Sequence, residues 1–452
     1  MVYDFCVIGS GAGAGPIIYE LSLAGANVIC LEKGPYLKRE DFSKDELGFV
    51  RRDTTVPNIQ EEYYEFEEKE NGSWESYLTK DYNWNFYNGN IVGGSSNYMS
   101  GYFLPLEPID FIMQSSLKVK NANLQNWPVS YEEFAPFYKE VDKKVGVTTN
   151  TTEHPMSKHI DKTSKTTKTK VQVTPRAILK DAKGDRNGCY YSNYCGSYGC
   201  SSGAKGSSRE ALIKPALKTG NLTLKANHHV LKLNSTKNGV NSALVYDKDT
   251  KTTKHIKAKI FIVATQAIES ARLLLNSKSA FHPKGLGNDY EQVGKNLLFS
   301  GGGIIKGTFD SDDFDLNKLM VEGHFVNRSI KEWYMLSKKE KGGAVEFLFE
   351  HANPIRKVNS IRFGDDKLLW GKELHDAIDQ KLNKQKTLEA EIYNDWYPHD
   401  DCFVSLSDHK DVYGMNVAKV RLGAHKKNEK TGDKLAFKTI EFFKSMGAKT
   451  FK

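Results

Sequence analysis

From Tyr3 to Gly34 the chain reads YDFCVIGSGAGAGPIIYELSLAGANVICLEKG, and this stretch decides the fold. Phe5–Ile8 is a short apolar run ending at glycine, which suits a strand buried on both faces. Gly9, Gly11 and Gly13 allow a tight turn and a close approach of backbone to a ligand. From about Gly13 to Ala24 the spacing predicts a helix, with Ile17, Ile18, Leu21 and Ala24 on one side. Val28–Leu31 is a second apolar run, closed by Glu32. The order is strand, glycine turn, helix, strand, acid. A helix N-terminus with its unpaired N–H groups suits a pyrophosphate. An acid 23 positions after Gly9 suits a ribose. The third glycine of the usual fingerprint falls on Ala14. The pattern predicts a dinucleotide site and disfavours a 2′-phosphate, but does not separate FAD from NAD.

Working outward, 452 residues allow two or three domains or one interleaved pair, and 39% hydrophobic residues support a substantial core. No apolar run reaches membrane-spanning length. With the first strand starting near Val2, the expectation is no signal peptide and a cytoplasmic protein, or one exported with a partner. The net charge of +8 resides largely in Lys-rich segments, Lys158–Lys170 and Lys426–Lys452, read as solvated surface. No zinc-finger or RNA-recognition motif supports nucleic-acid binding.

Residues 38–80, rich in charge and tyrosine, are read as an excursion with some helix that covers the sheet. Val92-Gly93-Gly94-Ser95-Ser96-Asn97 through Gly101 again suggests backbone close to a ligand. Ser130 and Glu133 form a capping box that opens a helix with Phe134, Phe137, Tyr138 and Val141 on its apolar stripe. Residues 148–170 are read as low-complexity and mobile. A helix is expected from Ser208, with Gly220 as its stop. Strands are expected at Leu222–Leu224, His229–Leu233 and Ser242–Tyr246, and a buried strand at Lys259–Ala264, running into a helix to Leu275. From about 300 an antiparallel second domain is expected, with strands at Gly343–Glu350 and Cys402–Ser407. Polar and amphipathic helices are expected at 371–392 and 430–446. The fold class is therefore α/β, with a Rossmann-like cofactor domain built from discontinuous segments (1–37, 85–110 and 200–300). Residues 38–84 and 111–199 form covering excursions, and 301–452 form an α+β substrate domain.

Of six cysteines, Cys6 and Cys30 fall in predicted core strands and Cys402 is isolated. Cys189, Cys195 and Cys200 crowd into twelve positions with glycines between them. Thiolates favour soft metals and iron–sulfur clusters. Spacing alone leaves a disulfide, free thiols and a zinc knuckle open.

Taken together, these motifs resemble the glucose–methanol–choline (GMC) oxidoreductases, FAD-dependent alcohol and sugar dehydrogenases and oxidases. The ordered match uses Gly9–Gly15 with Glu32, Val92–Asn97, Trp127-Pro128, Ala264–Leu275, Gly285–Asn288 and Val293–Asn296. The resemblance implies that Gly9, Gly11, Gly13 and Ala14 face the FAD pyrophosphate and Glu32 the adenosine ribose. It puts Gly93, Gly94, Ser95, Asn97 and Met99 along the flavin, Val230 at the adenine, and Thr265 at the second strand–helix junction. Thr265-Gln266 departs from the family's commoner small-residue–glycine pair. Within the family the pattern is nearest the large subunit of gluconate-type dehydrogenases, where a cysteine loop precedes a Gly-Ala-Lys segment like Gly203-Ala204-Lys205. That likeness implies a [3Fe-4S] cluster on Cys189, Cys195 and Cys200, a small subunit, and a cytochrome or other electron acceptor. The family's catalytic histidine lies in a C-terminal His-x-x-Gly-Thr-like segment followed by an Asn-Pro-Thr-like one. Neither occurs in this sequence, so no catalytic residue is assigned. His228, His229, His399, His409 and His425 are read as surface or packing residues.

Overall fold

The computed structural model describes residues 2–47, 55–86, 88–149, 154–192, 195–310, 326–349, 353–362 and 367–452. At its centre is a four-stranded parallel sheet. Strand β1 (Tyr3–Ile8) lies between β2 (Val28–Leu31) and β4 (Ala258–Val263), and β3 (Leu222–Lys225) lies outside β2. Alternation along β1 fills both faces. Val7 packs with Cys30, with Ala14 and Ile18 of helix α1 (Ala14–Leu23), and with Ile213 and Ala216. Cys6 and Ile8 face Val230, Leu233, Val245 and Leu273, from the antiparallel sheet of residues 228–256 and from helix α2 (Ala267–Asn276). Burial pushes the Cys6 thiol up to about 12, as suits an inert core cysteine.

A six-stranded antiparallel sheet forms the second layer. Its order is Thr450–Phe451, β5 (Gly301–Asp310), β7 (Gln385–Asn394), β6 (Gly343–Phe349), Arg328–Ile330 and Gln172–Val173. One face carries Phe309, Val345, Phe347, Leu388, Ala390 and Ile392. It is covered by helix α3 (Lys426–Met446) through Leu435, Phe442 and Phe443, and by the helix Met156–Thr167. The alternate residues, among them Ser329, Glu346, Glu389, Glu391 and Tyr393, occupy the opposite face.

Several expectations change. Residues 385–394 are not helical: the predicted polar helix stops at Lys384, and the chain becomes β7 between two partners. The Lys- and Thr-rich segment, read as mobile, folds from Met156 into a helix whose Met156, Ile160 and Thr163 recur at i, i+4 and i+7 and are buried. In the excursion 38–80 the main element is a hairpin, Glu65–Glu70 with Ser73–Leu78, rather than helix. This hairpin joins Cys402–Lys410 and Asn416–Leu422 in a separate four-stranded sheet. Strand β4 is an edge strand with Ile260 half exposed, because no strand lies beyond it. On α1, Ile18 is buried while Ile17 and Ala24 are exposed. The predicted stripe of the helix Tyr131–Val145 forms an aromatic ladder with Trp127 and Phe111, yet Phe137 stays exposed. Its capping box forms as expected, with Ser130 Oγ accepting from Glu133 N–H at 3.2 Å and Glu133 from Ser130 N–H at 2.8 Å.

Candidate nucleotide-binding site

A cleft of about 750 Å³ opens at the C-terminal ends of β1, β2 and β4. Gly9, Gly11, Gly13, Glu32, Gly94, Ser95, Val230 and Thr265 all border it. Gly9 has φ +93°, and a Cβ there would lie 2.4 Å from the Ala264 carbonyl oxygen. The residue thus lets the turn pass against the end of β4. A Cβ on Gly11 or Gly13 would meet no protein atom within 4 Å and would instead project into open space. Among the described residues the backbone N–H groups of Gly11, Ala12 and Gly13 have no acceptor, and they sit at the start of α1. Unpaired donors at a positive helix end, bordered by glycines, fit a pyrophosphate.

Glu32 is 7% exposed. It accepts from Ser10 N–H at 3.1 Å, Ser10 Oγ–H at 2.6 Å and Gly34 N–H at 3.0 Å. Burial raises its carboxyl above the ordinary carboxylate range, although these donors pull it down. Ser10 was not singled out by sequence reasoning. Its hydroxyl also accepts from Gly93 N–H at 2.9 Å, so it ties the glycine turn to the second glycine loop. Nothing in the sequence distinguishes it except its place between Gly9 and Gly11.

The remaining cofactor candidates do not border the cleft. Ala14 is buried against the sheet. Gly93 has φ +93°, and a Cβ there would lie 2.7 Å from Arg209 Cβ, so its smallness serves packing. Asn97 holds its own loop, donating to Val92 O at 3.1 Å and Gly94 O at 2.8 Å. Met99 packs among Val145, Ala211 and Leu212. Gln266, where the family favours glycine, has φ +73°. Its side chain caps α2 by accepting from the Ile268 and Glu269 N–H groups, which offsets the cost of that backbone conformation.

A polar network closes the end of the cleft lined by Lys33, Tyr64, His229 and Glu269. Half-buried Lys33 meets Glu62 at 2.8 Å, and Tyr64 donates to Glu269 at 3.1 Å. Arg272 binds Glu269 and Asp411 and donates to Asn416 O at 2.9 Å. His229 lies edge-on to Tyr413 with ring centroids 4.8 Å apart, and its Nδ1 has no partner. Burial pushes the imidazole down to about 3, against the attraction of Glu62. The unfolded chain takes up this proton near pH 6.5 and the folded one does not until about pH 3. Stability therefore falls as pH drops through that window, by up to about 1.4 kcal/mol per pH unit. His229→Phe, which keeps a ring on Tyr413, is expected to flatten the decline in urea midpoint between pH 6.5 and 4.5. An unchanged slope would assign the decline to other groups.

The cysteine loop lies against the second glycine loop. Tyr198 is fully buried with Phe42, Ile91 and Tyr98. Lys205, 1% exposed, donates to Asn97 O at 2.9 Å. Cys189 and Cys200 border a small cavity of about 20 Å³ with Lys44 and Lys205. Burial alone would raise the Cys200 thiol. Lys205, the Ser202 hydroxyl and Lys44 outweigh it and hold the thiol below its ordinary range. Among the described residues no group of three His, Cys, Asp or Glu side chains is arranged to hold a metal, and the Cys195 side chain lies outside them. The histidines at the cleft are His228 and His229. His228 bonds Ala226 O at 2.7 Å, while His399 bonds Gly423 O at 2.8 Å and His425 caps α3.

A parallel sheet, a glycine turn opening a helix, and an acid at the end of the second strand define a dinucleotide-binding domain. The family model for GMC oxidoreductase matches residues 76–299. The chain is 25% identical over 432 residues to the 6'''-hydroxyparomomycin C oxidase of Streptomyces lividus, covering 92% of this chain and 71% of that protein. It is 28% identical over 321 residues to the paromamine 6'-oxidase of Streptomyces fradiae, covering 69% of this chain and 56% of that protein. Among solved structures, pyridoxine 4-oxidase from Mesorbium loti superposes with a TM-score of 0.59 at 13% identity, covering 99% of this chain and 81% of that one. The chain resembles the GMC oxidoreductases in sequence and fold, and FAD is the cofactor that this likeness supports. None of these relatives is a gluconate dehydrogenase subunit.

Proposed function

We propose that the protein oxidises a CH–OH group of an alcohol, sugar or sugar derivative, with FAD held by segments 1–37, 85–110 and 200–300. The observation that carries this is the glycine-lined cleft with its unpaired N–H groups and Glu32. Bound FAD supplies a two-electron acceptor for hydride. In this reading Gly11–Gly13 bind the pyrophosphate through backbone N–H groups, Glu32 turns from Ser10 to the ribose, and the Val230 backbone meets the adenine. Ser95, with Asn97 fixing the loop, aligns the flavin. Two of the relatives named above are a 6'''-hydroxyparomomycin C oxidase and a paromamine 6'-oxidase, which supports an alcohol or sugar-type substrate.

We further propose that Cys189, Cys195 and Cys200 hold an iron–sulfur cluster that passes electrons to a separate acceptor. The contact of Lys205 with Asn97, which puts the cysteine loop beside the flavin loop, supports this reading. An oxidase without the cluster and a flavoprotein that needs a second chain for its base are the alternatives. The latter is favoured by His228, His399 and His425 already being engaged in the structure. We place the protein in the cytoplasm or, with a small subunit, outside it. Among the described residues no helix is long and apolar enough to cross a membrane.

The test is an absorbance scan followed by anaerobic titration with alcohols and sugars. Flavin bands that bleach on addition support the oxidoreductase reading. A broad shoulder lost in Cys195→Ser supports the cluster. Bands that never bleach leave a flavin binder, and a colourless protein defeats the proposal.

A further inference from the structure

The face of the six-stranded sheet opposite α3 carries a largely buried group of polar atoms outside the nucleotide cleft. Glu346 on β6 and Glu391 on β7 are direct cross-strand partners. Like charges at such positions destabilise a sheet. One register step away, Glu389 is neutralised by its own cross-strand partner Lys306 at 2.5 Å. Among the described residues Glu346 and Glu391 have no ion pair. Glu391 accepts only from the Tyr393 hydroxyl, at 2.6 Å, and Glu346 only from Thr174 Oγ1–H, at 2.8 Å. Glu346 is 1% exposed and its Oε1 has no partner. Two further buried atoms nearby are also unpartnered. Ser329 Oγ, on a fully buried residue, stands directly across from Glu346, and Tyr102 Oη lies beside the Arg176 guanidinium and, less strongly, feels both carboxylates.

This group meets the cofactor loop. Tyr102 follows Met99 by three residues and forms an isolated bridge with Arg176. Arg176 stacks on the Tyr102 ring at 4.6 Å and donates to Ser100 O at 2.7 Å. Thr174, which holds Glu346, lies two residues before Arg176.

We propose that Glu346 and Glu391, with Ser329 and Tyr102, receive a protonated amino group and neighbouring hydroxyls of the substrate, which is thereby an amino-bearing sugar or cyclitol. This rests on the oxidoreductase reading above for the word substrate, but not for the binding itself. Burial pushes the Glu346 carboxyl up to about 8; an ammonium between Glu346 and Glu391 offsets that cost and takes up the free Glu346 oxygen, and a ligand hydroxyl pairs with Ser329 Oγ. The sheet pairs Glu389 with Lys306, whereas Glu346 feels Arg176 and Lys331 only at a distance.

The experiment is calorimetric titration of the purified, flavin-loaded protein with glucosamine, glucose and N-acetylglucosamine. Glucosamine is expected to bind at least about tenfold more tightly than the two uncharged sugars, as suits a charge-assisted contact. Glu346→Gln and Glu391→Gln are expected to bring it down to the level of glucose. Glu68→Gln, an exposed acid on the distant hairpin, should leave it unchanged. Flavin content and melting temperature of each variant show that it has folded. Equal affinities for the three sugars, or a preference that survives both glutamine variants, overturn the proposal. A colourless protein that still prefers glucosamine defeats the flavin reading and leaves this one standing. Flavin-loaded protein with no preference defeats this one alone.

Discussion

Gly9→Ala is expected to lower bound FAD at least about tenfold and to cost about 2–5 kcal/mol of stability. Two costs combine. The residue has φ +93°, where a side chain is strained, and the new Cβ would stand 2.4 Å from the Ala264 carbonyl oxygen. Relief requires β1 and β4 to part at the cleft, and that moves the turn whose N–H groups we propose bind the pyrophosphate. Gly25 supplies the control. Its φ is +84°, yet a Cβ there meets nothing within 4 Å, so Gly25→Ala carries only the conformational cost of about 1–2 kcal/mol. Flavin absorbance per protein and urea midpoints on both variants decide the matter. Equal FAD content in the two would mean that the close approach at Gly9 is not what shapes the site.

The second large effect is expected at Arg272. It is 2% exposed, pairs with Glu269 on its own helix, and joins α2 to the C-terminal strands through Asp411 and the Asn416 carbonyl. Arg272→Met fills much of the volume but strands two carboxylates away from their cation. A loss of about 3–5 kcal/mol is expected, because the uncompensated charges dominate. Glu269, which Arg272 helps to hold below its ordinary range against burial, escapes the penalty by protonation, so the variant's deficit should shrink as pH falls towards 4. Adding Asp411→Asn should recover part of the loss at neutral pH. A deficit independent of pH and unmoved by the second substitution would instead point to lost packing.

How much of this was legible in the sequence depends on which signal each segment carries. The stretch Tyr3–Glu32 could be read because period-2 and period-3.6 patterns succeed one another there without conflict. Gln385–Asn394 misleads because Gln, Lys, Leu, Glu and Ala are good helix formers. The strand signal is the alternation of Leu388, Ala390 and Ile392, and pairing with β5 and β6 overrides local propensity. At Glu65–Leu78 the signal was present and passed over: Asn71-Gly72, with φ of 49° and 89°, makes a tight hairpin turn between alternating segments. Within the site, Gly9, Gly11, Gly13 and Glu32 follow from spacing. Ser10 and Lys205 do not, because each acts across a long stretch of chain, to Gly93 and to Asn97. Glu346 is equally silent, since an acid in an alternating strand reads as solvent-facing until the rest of the fold covers it.

The order of strands in the parallel sheet also sets a timetable for synthesis. β1 emerges first, yet one of its two neighbours, β4, ends at Val263. At about 5–20 residues per second the ribosome needs roughly 10–50 s to make the intervening chain. During that time β1 and β2 can form a pair, but one edge of β1 remains open, with Cys6, Val7 and Ile8 available to other chains. Chaperone supply during translation, more than cofactor supply after it, should therefore limit the yield of soluble protein.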